Sequence, residues 1–510
     1  MLWLDLYNRK ENSGIYLTAR DPEMKFKDIH VYSKGEYCPG VGIGILHNTC
    51  LTKGAWESPE CILAFHEGDW HWAADQYHRM RDSYSRPVLT EPSRPDWFEK
   101  SPGLAAHYDF RYQDGGVIHR FADIPALYRK AETWGLDHLL ISGWNEDGFD
   151  WGFPHYAPDV ELGGPEGLKK AVEEVHKMGG RISLYLNSRL CNMAFPEQKR
   201  RVEESAVMKR GGKLHIEAYG AGDSRFATLC MSESKWRRDF ANDVRYILQE
   251  IGADGVYLDQ FAMAAGMTCY HPGHREHAGN PAAWNQGYEK LLDIIRAENP
   301  GKAIFYEGCC DIFGRGVSGQ LVSTLRQTIE DVTPEIYRYT FPEEVLVDME
   351  NPRRHSGMRA EHVARRSTFY LYRGFVCGMY FWVYDLEEDN TFSRDPEQEQ
   401  RLKKTTQLRT LWLEKYGYGI FRDQEKLVEV GEQTLYKCYD VPGGMLIACA
   451  DEKGLSGTVT AKWESSRRVR VTIHTEKDHT PVEQILEAAN GTVTVSLPDT
   501  ELALIILEKA

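Results

Sequence analysis

The spacing of apolar and polar positions changes period three times along the chain. Over residues 1–66 short apolar or alternating runs are broken by Gly, Pro and Asn: Gly14-Ile15-Tyr16-Leu17, Ile29-His30-Val31-Tyr32 and Gly42-Ile43-Gly44-Ile45-Leu46. This texture predicts strands of an antiparallel sheet. The chain opens inside a strand-like pattern, so the N-terminal domain is either small or lacks an earlier part. From Asp69 to Tyr84 the period becomes helical, with Trp70, Ala73, Tyr77 and Met80 three and four apart. Pro87 to Pro95 then reads as a proline-marked linker.

Strands and helices alternate after the linker. Strand-like runs are Leu104 to Asp109, His138 to Trp144, Arg181 to Asn187, Gly255 to Asp259 and Ala303 to Glu307. Between them lie helical faces built on Ile124, Leu127, Ala131 and Trp134, on Leu168, Ala171, Val172 and Val175, on Trp236, Phe240, Val244, Ile247 and Ile251, and on Trp284, Tyr288, Leu291 and Ile295. Glycines stop most of these helices, and Pro165 suits a first turn. Five strand–helix units imply a parallel sheet with helical crossovers. A doubly wound sheet competes with an eight-stranded barrel, but no Gly-rich phosphate loop follows the first strand. The expected fold is α/β: a (β/α)8 TIM barrel over 97–420, with Glu335 to Thr340 and Phe375 to Tyr384 as later strand candidates. A β-rich domain and linker helix occupy 1–96. Over 421–510, runs such as Arg468 to Ile473, Thr492 to Ser496 and Leu502 to Leu507 predict a C-terminal antiparallel β-sandwich.

Composition narrows the classes. Of 510 residues, 42% are hydrophobic and 27% charged, which supports a large core and excludes a disordered chain. No apolar stretch nears the roughly 18 residues needed to cross a bilayer. The net charge of −15 gives no general attraction to nucleic acid or anionic membrane. Eleven cysteines scattered over this length do not form a disulfide framework, and no secretory signal follows Met1, so the expected location is cytoplasmic. An aromatic content of 12% suits sugar recognition and a large core equally.

In a barrel, reactive groups project from the C-terminal ends of the strands. The strand ends here are polar: His107-Tyr108-Asp109, then Trp144-Asn145 with Asp147 and Asp150, Asn187-Ser188-Arg189, Asp259-Gln260, and Glu307. Asp259 and Glu307 each follow an apolar strand body, and neighbouring strands lie about 4.8 Å apart. Two such carboxyls could come within the roughly 5–5.5 Å of a retaining glycosidase pair. Asp311 is a rival to Glu307 as the acid. Trp144, Trp151, Tyr185 and Trp382 are either stacking platforms or core. His271, His274 and His277 in the loop after the fourth strand could line the substrate, bind zinc or lie on the surface. A catalytic thiol at Cys309-Cys310 would need an electropositive setting.

Gly164-Pro165-Glu166-Gly167-Leu168 through His176-Lys177-Met178-Gly179-Gly180, Leu184-Tyr185-Leu186-Asn187, and Asp254-Gly255-Val256-Tyr257-Leu258-Asp259-Gln260 resemble the barrel of bacterial glycoside-hydrolase-like proteins. Those are largely uncharacterised and distantly similar to the retaining α-galactosidase superfamily. The resemblance covers roughly 100–420 and implies a glycosidase of α-linked sugars with Asp259 in the nucleophile's place on strand four. In α-galactosidases the acid/base is an Asp on strand six, for which no clear match follows Thr333. A Glu on strand five, as in α-amylase-like and endo-α-N-acetylgalactosaminidase-like barrels, matches Glu307.

The expectation is therefore a retaining glycoside hydrolase with Asp259 as nucleophile and Glu307 as acid/base. Asp109, Trp144, Asn145, Asp150, Asn187, Arg189, Gln260, His274 and Trp382 would contact the substrate. No cofactor or metal is required. The expected partner is an oligosaccharide or other glycoside, with no nucleic acid and no membrane, and homo-oligomerisation is left open. Two alternatives stand beside it: a non-catalytic carbohydrate-binding protein on a degenerate barrel, and a metal-dependent hydrolase or lyase using His271, His274 and His277.

Overall fold

The structure, a computed structural model, describes residues 1–33, 35, 40–49, 55–86, 94–108, 110–218, 224–262, 266–322, 334–349, 360–386, 391–430, 434–478 and 480–510, with backbone alone for 360–367 and 391. Eight parallel strands close into a barrel in sequence order: Gly103–His107, His138–Ile141, Arg181–Asn187, Gly255–Asp259, Ala303–Glu307, Gly319–Leu321, Leu346–Met349 and Tyr380–Tyr384. Their bodies are buried along both faces, because one face meets the barrel interior and the other meets the surrounding helices. This is the expected (β/α)8 barrel.

The interior is packed in layers rather than hollow. At the N-terminal end Phe98 stacks on Tyr380, with centroids 4.5 Å apart, and plugs the floor. Beside it His138 lies 2.7 Å from both the Tyr380 hydroxyl and Ser183 Oγ. Burial pushes its imidazole down to about 3, so it packs as a neutral ring. Higher up, Tyr257 meets Trp382 edge to face at 5.0 Å. A cavity remains at the C-terminal mouth.

Two β units flank the barrel. The N-terminal one has a three-stranded sheet (Trp3–Asn8, Ser13–Arg20, Glu60–Glu67) and a hairpin (Lys27–Ser33, Val41–His47), joined to the barrel through the helix Trp70–Asp82. The C-terminal one lays a six-stranded sheet over a three-stranded one, with Tyr436, Ile447, Val459, Val471, Val495 and Ile505 between them. That is the expected sandwich. No helix among the described residues is long and apolar enough to cross a membrane.

Two late strand expectations need correction. Glu335 to Thr340 is not a strand but part of a helix, Pro334–Thr340. Pro334 presets the first turn, and Thr340 Oγ1 returns a hydrogen bond to the Ile336 carbonyl at 2.6 Å. Its aromatic and β-branched residues imitate a strand because five of its seven residues are buried. In the Phe375 to Tyr384 run, Phe375 and Val376 end the helix Ala360–Val376, Gly378 turns the chain at φ +65°, and only Tyr380–Tyr384 is strand. The true sixth and seventh strands, three and four residues long, were missed.

Candidate active site

Backbone register sets the site. Asp259 pairs with Asn187 across strands four and three, and Leu258 pairs with Tyr306 across strands four and five. Asp259 and Glu307 therefore end neighbouring strands at the same level. Side chains alternate along a strand, so Tyr185 and Tyr257, two residues before Asn187 and Asp259, also point inward. Tyr108, Phe149, Asp150, Tyr185, Leu190, Tyr257, Asp259, Gln260, Glu307, Met349 and Tyr384 enclose a cavity of about 460 Å³ at the mouth. That volume lies in the usual range for a small-molecule site.

Asn187 organises the acidic end of this cavity. Its Oδ1 accepts from the backbone N–H groups of Arg189 and Leu190, both at 3.0 Å. The amide is thereby oriented so that Nδ2 donates to Asp259 Oδ2 at 3.0 Å and to Gln260 Oε1 at 3.1 Å. The Tyr185 hydroxyl, the Gln260 backbone and Glu307 also act electrostatically on the Asp259 carboxyl. Gln260 turns left-handed at φ +54°, unusual for a residue with a side chain. The turn aims its N–H at Glu307 Oε2, 3.1 Å away. Strain of this kind often marks functional sites.

Burial pushes the Asp259 carboxyl above the ordinary aspartate range, while Tyr185, Glu307, Asn187 and the Gln260 N–H pull it back. Two acidic groups at the ends of neighbouring strands disfavour being ionised together.

The remaining expected residues divide by position. Asp150 (φ +55°) and Gln260 line the cavity, and Asn187 reaches it through Asp259. Trp144 is fully buried, donates from Nε1 to the Tyr185 carbonyl at 2.9 Å and stacks on Tyr156. Asn145 braces its own loop through the carbonyls of Glu146 and His155. Arg189 points away, paired with Glu217 and lying over the Trp284 ring. Trp382 is wholly buried beneath the cavity floor. Asp109 lies outside the described residues. His274 sits with Cys230, Cys269 and His277 in a buried cluster not among the cavity's lining residues.

Asp311 lines a second cavity of about 230 Å³, where it accepts from Tyr77 and lies 3.5 Å from Arg81 Nε. It serves as a tie to the helix Trp70–Asp82. Burial holds the Cys310 thiol up at about 11, unsuited to nucleophilic attack. Tyr108 lies at the expected end of strand one, whereas Phe149, Tyr257 and Tyr384 join the lining beyond the sequence expectation. Counting back two residues from each strand-end polar group would have found Tyr257.

Comparison with known proteins fits this architecture. A Bacteroides thetaiotaomicron protein named "Putative glycoside hydrolase" is 29% identical over 298 residues, 55% of this chain and 41% of its own length. A Monosiga brevicollis protein, "Putative glycoside hydrolase 22789", is 27% identical over 157 residues, 29% of this chain and 13% of its own. The chain thus spans less than half the length of these relatives. Among solved structures, the alpha-N-acetylgalactosaminidase NagBb of Bifidobacterium bifidum superposes with a TM-score of 0.65 at 17% identity, covering 91% of this chain and 73% of the other. A GH36 alpha-galactosidase from Geobacillus stearothermophilus gives 0.58 at 11% identity, covering 100% and 72%. The family profile described as a domain of unknown function, DUF6259, matches residues 57–331, more than half of the sequence. The chain belongs to that family.

Proposed function

We propose that the protein is a retaining glycoside hydrolase acting on α-linked sugars, with Asp259 as nucleophile and Glu307 as acid/base. The carrying observation is the pair of carboxyls that end neighbouring strands at the mouth of a closed barrel and line one aromatic-walled cavity. In an inverting enzyme the two groups stand roughly 6.5–9.5 Å apart to admit a water between them, against about 5–5.5 Å in a retaining one. Carboxyls on level ends of adjacent strands, about 4.8 Å apart in the sheet, favour the shorter arrangement. The α preference draws on the fold neighbours, which are named as alpha-glycosidases.

Asp259 attacks the anomeric carbon as Glu307 gives its proton to the departing glycosidic oxygen. The carbon–oxygen bond breaks and a glycosyl ester forms on Asp259. Glu307, now ionised, takes a proton from water, and the water oxygen displaces Asp259 from the anomeric carbon. Donation from Asn187, with the nearby Tyr185 hydroxyl, stabilises the Asp259 carboxylate when it is released. Asp150 and Gln260 offer polar contacts to sugar hydroxyls, and Tyr108, Phe149 and Tyr384 offer faces for the apolar side of a pyranose.

The test is a panel of aryl α- and β-glycosides against the wild type and Asp259→Ala. The expectation is turnover of an α-glycoside, a loss of several orders of magnitude in the variant, and partial rescue by azide with release of a glycosyl azide. Sugar binding by calorimetry without turnover across the panel would instead favour a carbohydrate-binding protein.

A further inference from the structure

Four soft or borderline donors converge beside the barrel, from two segments far apart in sequence. Cys230 follows the short strand Phe226–Thr228 and precedes the helix Ser234–Arg245. Cys269, His274 and His277 come from the connection between the fourth barrel strand and the helix Ala283–Glu298. Cys230 Sγ is 3.3 Å from His277 Nε2, and Cys269 Sγ is 3.3 Å from His274 Nδ1. One donor atom from each of the four residues lies within 4.8 Å of the others. In a tetrahedral zinc site, bonds of about 2.3 Å to sulfur and 2.0–2.1 Å to nitrogen place neighbouring ligand atoms roughly 3.3–3.8 Å apart. The shortest contacts already match, and modest side-chain rotation closes the rest.

The surroundings hold the donors in that arrangement. Cys230, Cys269 and His274 are buried, with 1%, 3% and 5% exposure. The Glu204 carbonyl lies 2.9 Å from His274 Nε2, which fixes the proton there and leaves the Nδ1 lone pair facing Cys269. Successive turns wind the loop so that its histidines face one side: the N–H of His277 and of Ala278 donate to the His274 carbonyl, and Gly279 N–H closes back on the Cys269 carbonyl. His271 is outside the set, with Nε2 3.0 Å from the Glu203 carbonyl and Nδ1 accepting from Gly273 N–H at 3.1 Å. The three histidines of the loop therefore do not converge on one point; two of them converge with two cysteines.

We propose that Cys230, Cys269, His274 and His277 form a closed zinc site that ties the connection after strand four to the segment after Phe226–Thr228. All four positions are filled by protein, as in structural rather than catalytic zinc sites. The same connection begins at Gln260, and the strand Phe226–Thr228 pairs with Leu190–Asn192 next to Asn187. The metal would brace two sides of the mouth without touching substrate. This inference is independent of the hydrolase reading.

The experiment is metal analysis of the full-length protein purified without chelator, followed by cobalt substitution. The expected result is about one zinc per chain surviving dialysis and released by a mercurial thiol reagent. The cobalt form should show tetrahedral ligand-field bands with thiolate-to-cobalt charge transfer. Cys230→Ser and His277→Ala should lose the metal, while His271→Ala keeps it. If those variants do not fold, the wild-type zinc content and cobalt spectrum still decide. Substoichiometric zinc after growth with added zinc, a Cys230–Cys269 disulfide detected by mass, a cobalt spectrum without thiolate bands, or metal loss in His271→Ala would each overturn the proposal.

Discussion

Replacing Asn187 by alanine should damage both the fold and the chemistry, by separable amounts. The side chain makes four hydrogen bonds: two from buried backbone N–H groups and two to Asp259 and Gln260. Leaving the N–H groups of Arg189 and Leu190 without an acceptor costs about 1–3 kcal/mol each, so stability should fall by roughly 2–6 kcal/mol. Loss of the bond to the Asp259 carboxylate removes about 1.5–3 kcal/mol from the charged form, equivalent to roughly 10- to 200-fold in kcat/KM. Asn187→Asp separates the two effects. It keeps Oδ1 for the backbone N–H groups but presents a carboxylate oxygen to Asp259. A like charge there pushes the Asp259 carboxyl further up, so the acid limb of the pH–rate profile should move to higher pH. Urea denaturation followed by tryptophan fluorescence, with kcat/KM on an aryl α-glycoside, measures both. An alanine variant within about 0.5 kcal/mol of wild type and with unchanged kcat/KM would refute the role assigned to Asn187.

Three further outcomes follow from the same structure. Burial raises the Asp259 carboxyl, so its contribution to stability is full below the ordinary aspartate range and is lost as pH rises through its folded value. Asp259→Asn should therefore melt higher than wild type at neutral pH, with the gap closing in acid; a lower melting temperature at pH 7 would count against it. Burial, with Glu343 nearby, holds Glu344 up at about 8, where it accepts from the Tyr337 hydroxyl at 2.9 Å. Glu344→Gln should match wild type in denaturant at about pH 4, below the ordinary glutamate value of 4.5, and exceed it at pH 9, since wild type loses this contribution progressively as pH rises through about 8; parallel pH profiles would contradict that. Trp382→Ala should lose roughly 3–5 kcal/mol because the ring is wholly buried against Tyr257, whereas Trp382→Phe should leave KM near wild type. A KM rise in the phenylalanine variant would instead make Trp382 a substrate contact.

Barrel strands one to five are legible in the sequence because each is an apolar run closed by a polar residue and followed by an amphipathic helix. Strand six, Gly319–Leu321, carries the polar Gln320, whose side chain satisfies Tyr306 and the Cys310 N–H rather than joining an apolar run. Strand seven places Asp348 among its four residues. The long helix Pro396–Tyr416 shows no apolar stripe because its buried face includes Gln398, Thr405, Thr406 and Arg409. In the site, the carboxyl pair and Asn187 follow from strand ends alone, while the fates of Trp144, Arg189 and Trp382 depend on rotamers and neighbours contributed by distant segments. The four-donor cluster was hidden for the same reason: Cys230 is remote in sequence from the histidine loop, and only folding brings it there.

The central claim is that Asp259 carries the sugar between the two chemical steps. It is tested most directly by incubating the protein with a 2-deoxy-2-fluoro α-glycosyl fluoride of the sugar selected in the aryl-glycoside panel, then measuring intact mass and mapping the peptide. The account predicts a single glycosyl adduct on the peptide containing Asp259, formed as activity is lost. Activity on the parent sugar with inversion at the anomeric carbon, or an adduct on any other residue, would contradict it.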